Sequence, residues 1–116
     1  MKRFAIAAAL VAAPLALANA AGPFDGNYTG GSPGMGRQGC PATTASVSIV
    51  DGKVSGRYQA GPYSFPISGA VAADGAVTGK WSAYALTGTI SGGHFTGSYI
   101  SKECGGARPI ELNKSG

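Results

Sequence analysis

Gly34-Met-Gly-Arg-Gln-Gly39 has the spacing of the glycine fingerprint that cradles a dinucleotide pyrophosphate. That chemistry needs a strand before the glycines and a helix starting within them, so that backbone N–H groups and a helix dipole meet the phosphates. Here Cys40-Pro41 follows at once, and then another strand-like run. One match in a chain with 20 glycines makes no nucleotide site. The other residues able to do chemistry are few. The carboxylates are Asp25, Asp51, Asp74, Glu103 and Glu111, and the three aspartates each precede a glycine in a turn slot, where Asp bonds local backbone donors. His94 is the only histidine and has no second ligand or nucleophile motif beside it. It is expected to point to solvent beside a turn. The sequence therefore predicts no enzyme, no metal site and no cofactor.

The first 20 residues stand apart. Lys2 and Arg3 lead into an apolar run from Phe4 to Leu17, and Ala18-Asn19-Ala20 is an A-x-A cleavage site. This predicts a signal peptide over 1–20, cleaved after Ala20, and an exported product, periplasmic or extracellular. A membrane anchor is the alternative, but the run is short and Pro14 interrupts it. Ala21, not a cysteine, directly follows the cleavage site and Lys-Arg is not a twin-arginine signal, so neither a lipoprotein nor that export route is indicated. Residues 21–116 then form one small domain. Losing Lys2 and Arg3 lowers the formal charge from +4 to +2. Charges so few and scattered are a poor footprint for nucleic acid. Two cysteines, Cys40 and Cys104, in an exported chain predict one disulfide, contributing about 4 kcal/mol in the chain-entropy model.

What must position any site is a repeat. Asp51-Gly-Lys-Val-Ser-Gly-Arg-Tyr58, Asp74-Gly-Ala-Val-Thr-Gly-Lys-Trp81 and Gly92-Gly-His-Phe-Thr-Gly-Ser-Tyr99 share one pattern, and Asp25-Gly-Asn-Tyr-Thr-Gly30 is a shortened copy. Asp-Gly and Gly-Gly between alternating runs signal β-hairpins with type I′ turns, which need positive φ at both central residues. Eight strands are expected, near 24–30, 43–50, 53–60, 64–72, 76–82, 85–91, 94–100 and 107–113. Alternation puts Val54, Gly56, Tyr58, Val77, Gly79, Trp81, Phe95, Gly97, Tyr99, Ile67, Val71, Leu86 and Ile90 on one face, with Ser, Thr, Arg57 and Lys80 on the other. The polar outer face excludes an outer-membrane barrel. The fold class is all-β, an antiparallel up-and-down meander of about eight strands in a small closed or nearly closed barrel with one disulfide. An open curved sheet or a two-sheet sandwich is the alternative.

On these residues the hairpins resemble the avidin-like barrels, through Ala73-Asp-Gly-Ala-Val-Thr-Gly79 and Leu86-Thr-Gly88. The chain has only Trp81 where biotin binders use several tryptophans, so biotin binding is not implied. Phe24-Asp-Gly-Asn-Tyr-Thr-Gly30 and the placement of the two cysteines also resemble small exported bacterial domains of unassigned activity, a likeness that brings no catalytic residues.

In an up-and-down order, the turns at 51–52, 74–75 and 92–93 close one end. Above them come three inner levels: Val54, Val77 and Phe95; then Gly56, Gly79 and Gly97; then Tyr58, Trp81 and Tyr99. The rings lie over the glycines and fill the barrel, or they line a cup at the upper end. In the second case Tyr58, Trp81 and Tyr99 form its walls, with Tyr63 and Tyr84 at its rim. The disulfide staples the 31–39 loop to that rim, so Met35, Arg37 and Gln38 overhang the mouth. The leading expectation is a non-catalytic binding module for a small apolar or planar ligand. Protein–protein modules, such as a small periplasmic protease inhibitor, and an envelope structural protein are the alternatives.

Overall fold

Each copy of the repeat becomes the end of one strand, a tight turn and the start of the next. A computed structural model describes residues 22–36 and 38–116; the expected signal peptide over 1–20 and Arg37 lie outside the described residues. A short 3₁₀ turn, Gly22–Phe24, leads into eight strands. They are β1 Gly26–Ser32, β2 Thr43–Val50, β3 Lys53–Ala60, β4 Tyr63–Val71, β5 Ala76–Trp81, β6 Tyr84–Ser91, β7 His94–Ser101 and β8 Gly106–Lys114. All neighbours are antiparallel in chain order, and β8 returns to pair with β1, so the sheet is a closed barrel. The first strand starts two residues later than expected, because the 3₁₀ turn uses Phe24 as a plug beneath the barrel, packed against the core.

Two of the three lower turns are type I′ hairpins. Asp51 and Gly52 have φ of 54° and 74°, and Gly92 and Gly93 have 60° and 77°. The third differs from the expectation. At 72–75 only Gly75 has positive φ, the Gly75 N–H donates to the Ala72 carbonyl (2.9 Å), and the Ala72 N–H donates to the Ala76 carbonyl (2.8 Å). This is a three-residue loop, a type I turn followed by a glycine bulge. Asp74 steadies it by accepting from the Ala76 N–H at 3.0 Å. The shortened first copy makes no hairpin of its own. Its Asp25 carboxylate instead accepts from the Asp51 N–H at 3.2 Å, and Tyr28 donates to the Phe24 carbonyl at 2.9 Å.

The alternation holds along the strands. Val54, Tyr58, Ile67, Val77, Trp81, Leu86, Ile90, Phe95 and Tyr99 are all buried, joined by Tyr28, Ala45, Val47, Ile49, Ile110 and Leu112. Strand tilt staggers the three expected levels. Across hydrogen-bonded neighbours, Val54 faces Gly69, Gly69 faces Gly79, Gly79 faces Leu86 and Leu86 faces Tyr99, so one row climbs from the lowest level to the highest.

The lower and middle interior is filled, leaving a cavity of only about 20 Å³ among these side chains. Phe95 explains part of this. Its ring covers Gly88 and Gly97, and a Cβ on Gly88 would lie 2.6 Å from Phe95 Cε1 and 2.7 Å from the Gly97 Cα. Such room as glycine leaves here is taken by the ring and by the neighbouring backbone. Gly88→Val should therefore lower unfolding free energy by about 1–3 kcal/mol through overpacking. Urea denaturation checks this, with outward-facing Thr87→Val expected within about 0.5 kcal/mol of the parent.

Candidate functional site

The upper end of the barrel is built from the strand ends opposite those turns. Tyr58 ends the repeat on β3, Trp81 ends it on β5 and Tyr99 ends it on β7, so one sequence pattern delivers three rings to one end of the barrel. They meet. Tyr58 stacks on Trp81, with ring centroids 4.4 Å apart and planes 20° apart. Tyr99 stands edge-on to both, at 5.8 Å from Tyr58 and 4.7 Å from Trp81. Tyr84, half-buried, joins the cluster 5.5 Å from Tyr99 and 6.1 Å from Trp81. Such pairs contribute about 0.5–1.5 kcal/mol each beyond area burial. Trp81 is 1% exposed, and Tyr58 and Tyr99 are nearly as buried, so these rings pack as a floor and not as open walls.

Above the floor lies a cleft of about 350 Å³. Tyr58, Trp81, Tyr99, Tyr63 and Tyr84 all line it, and Tyr63 stands at its edge with 66% of its surface exposed. Met35 and Gln38 are exposed and do not line it; Gly39 and Pro41 of the same loop do. The loop reaches this place because Cys40 is disulfide-bonded to Cys104 in the turn between β7 and β8, with Cα atoms 5.2 Å apart. Comparable depressions of about 330–520 Å³ lie on the outer face, where Ser46, Arg57, Thr78 and Lys80 point outward, without a floor of packed rings.

The residue that alternation alone would have found, and the repeat did not, is Arg108. It lies in phase with Ile110 and Leu112 on β8, and all three face inward. Arg108 is 4% exposed, lines the cleft, and sits opposite Tyr99 in the strand register. Its Nη2 donates to the Pro41 carbonyl and, at 3.2 Å, to the Pro33 carbonyl, clamping both ends of the loop between β1 and β2. Thr43, Ser101, Phe65 and Glu103 complete the lining.

The Tyr58 and Tyr99 hydroxyls share a hydrogen bond in the floor. Burial pushes the Tyr99 phenol well above its ordinary pKa of 10.0 and the Tyr58 hydroxyl adds to this, while Arg108 pulls the other way. His94 is remote from the cleft, at the lower start of β7. It stands beside its turn with 41% of its side chain exposed, and along the outer face it leans onto β8, with Nδ1 2.6 Å from Asn113 Oδ1 and Nε2 3.6 Å from Glu111 Oε1. Among the described residues no group of three His, Cys, Asp or Glu side chains could hold a metal ion. No helix there is long and apolar enough to cross a membrane.

No protein-family model, curated protein or solved structure matches this chain.

Two outcomes follow from this geometry. Tyr99 and, through burial and Asp25, Tyr28 hold their protons more tightly folded than unfolded. Their contribution to stability is complete below pH 10 and is lost as pH rises through the folded values. A spectrophotometric titration should show phenol ionisation continuing well above pH 10, and Tyr99→Phe should flatten the fall in stability above pH 10. Reducing the disulfide, or making Cys40→Ala with Cys104→Ala, should cost up to about 4 kcal/mol in chemical denaturation.

Proposed function

We propose that the chain is an exported, non-catalytic binding module that holds a small apolar or planar ligand in its upper mouth. The observation that carries this reading is the contrast within one barrel: about 20 Å³ among the lower side chains against about 350 Å³ above Trp81. Barrels of this width are ordinarily filled by side chains or hold one small ligand at the mouth. Six aromatic residues converge on that mouth from the five strands β3 to β7, giving flat apolar contact with little rotamer freedom to lose. Export is supported by the leader-like first 20 residues and by a cysteine pair joined in a disulfide.

A second reading has its own support. Tyr63, Ile100 and Met35 are large apolar side chains exposed around the upper end, at 66%, 67% and 39%. They suit contact with a protein partner, as in a small inhibitor barrel, and that reading does not need the cleft.

The sole tryptophan makes the test simple. Neutral planar probes such as 2-naphthamide and benzamide should bind the oxidised protein by calorimetry, and benzamide should perturb Trp81 emission. Tyr63→Ala, at the exposed edge of the cleft, should weaken binding severalfold while leaving the unfolding midpoint nearly unchanged. Absence of binding by any planar probe, neutral or charged, would sink the small-ligand reading and leave the rim for a protein partner.

A further inference from the structure

The mouth has two unlike halves. Tyr58, Tyr63, Phe65, Trp81 and Tyr84 come from β3, β4, β5 and β6. The four buried polar or charged side chains among the described residues are Ser32, Thr43, Ser101 and Arg108. They stand at the upper ends of β1, β2, β7 and β8, which are neighbours across the seam where the barrel closes. Thr43, Ser101 and Arg108 line the cleft, and Ser32 sits opposite Thr43 in the register.

This polar half is not self-satisfied. Arg108 Nε and Thr43 Oγ1 are buried and have no hydrogen-bond partner, and Ser32 Oγ is in the same state. The ion pair found among the described residues is His94 with Glu111, so no carboxylate there lies within ion-pairing distance of Arg108. The acid nearest to hand is Glu103, which lines the cleft but is exposed and accepts from Ser101 Oγ at 3.2 Å instead. A buried guanidinium whose companions are loop carbonyls and a phenol is half of an ion pair. A carboxylate reaching Arg108 there meets it away from water, where a charge-assisted bond is strongest.

We infer that the mouth takes a small planar carboxylic acid, its ring against the Trp81–Tyr84 half and its carboxylate toward Arg108 and Thr43. The inference rests on the reading of the mouth as a ligand site. A volume of about 350 Å³ is at the small end of the range for ligand pockets, about 300–1,000 Å³, which suits one or two fused rings and not a long chain. The arriving carboxylate competes with the Pro33 and Pro41 carbonyls for the guanidinium, so loading the mouth also changes how the loop between β1 and β2 is held.

The test compares 2-naphthoate with 2-naphthamide at pH 7 on the oxidised protein by calorimetry. The two probes share a ring and differ in charge. Naphthoate is expected to bind at least tenfold more tightly, and the preference should shrink as salt is raised. Thr43→Val, which keeps shape and removes the hydroxyl, should cut the naphthoate affinity severalfold and leave naphthamide unchanged. Arg108→Lys, confirmed folded by circular dichroism, should lose most of the preference because the planar fork is gone. Equal affinity for the two probes overturns the acid inference while sustaining the mouth as a site. A preference that survives both Thr43→Val and a folded Arg108→Lys overturns the assignment to these residues. Absence of binding by either probe overturns the mouth reading and this inference with it.

Discussion

Everything in this barrel depends on the seam between its first and last strands. Tyr28 to Gly31 pair with Lys114 to Glu111, a shorter ladder than the one joining β8 to β7. Without it the sheet would have two open edges, each a row of unpaired backbone groups inviting another chain. The seam is reinforced at both ends. Below, the Asn27 N–H donates to the Gly116 carbonyl and the Ser115 N–H donates to the Asn27 carbonyl. Above, Cys40 in the loop between β1 and β2 is bonded to Cys104 just before β8, and Arg108 of β8 grips the carbonyls of Pro33 and Pro41. A weak joint in a small domain is thus tied by backbone, by a covalent link and by a charge.

That arrangement accounts for where polar groups are tolerated. The aromatic half of the upper end is made of strands far from the seam, held by ordinary side-chain packing. The seam half carries the buried hydroxyls and the guanidinium, and it is there that loop carbonyls come close enough to accept from Arg108. The mouth's two chemistries are a consequence of how the barrel is closed. Tyr99, on β7, stands between them and touches both, with Tyr58 on one side and Arg108 opposite in the register.

The fold was legible in the residues because the repeat encodes turns and faces at once. Asp-Gly and Gly-Gly placed the turns, and period-two alternation placed the inner face, so strand limits came within two residues of those observed. The turn at Asp74-Gly75 departs from type I′ although its two residues match those of Asp51-Gly52. Local dipeptide chemistry permits both, and the choice is made by the register between β4 and β5, which pairs Val71 with Val77. Three rings of the candidate site were visible as the last letter of each repeat, and Tyr63 and Tyr84 as residues beside the upper turns. Arg108 was not, since β8 lies outside the repeat and a charged residue in phase with Ile110 and Leu112 reads against its type. The loop from Pro33 to Ala42 has no periodicity to read, and only a covalent constraint told where part of it goes. Its cysteine end reaches the cleft through Gly39 and Pro41, while Met35 and Gln38 stay outside.

One geometric fact has wider reach than the seam it helps to form. Phe24 and Asp25 lie beneath the barrel by the turn at Asp51, and Gly116 lies beside Asn27, so both extremities of the described chain leave from the same pole. The mouth is at the other pole. Anything fused, anchored or immobilised through either extremity therefore presents the aromatic opening outward, like a cup standing on its foot. Joining the two extremities by a short linker and reopening the chain at another turn would leave the same cup facing the same way.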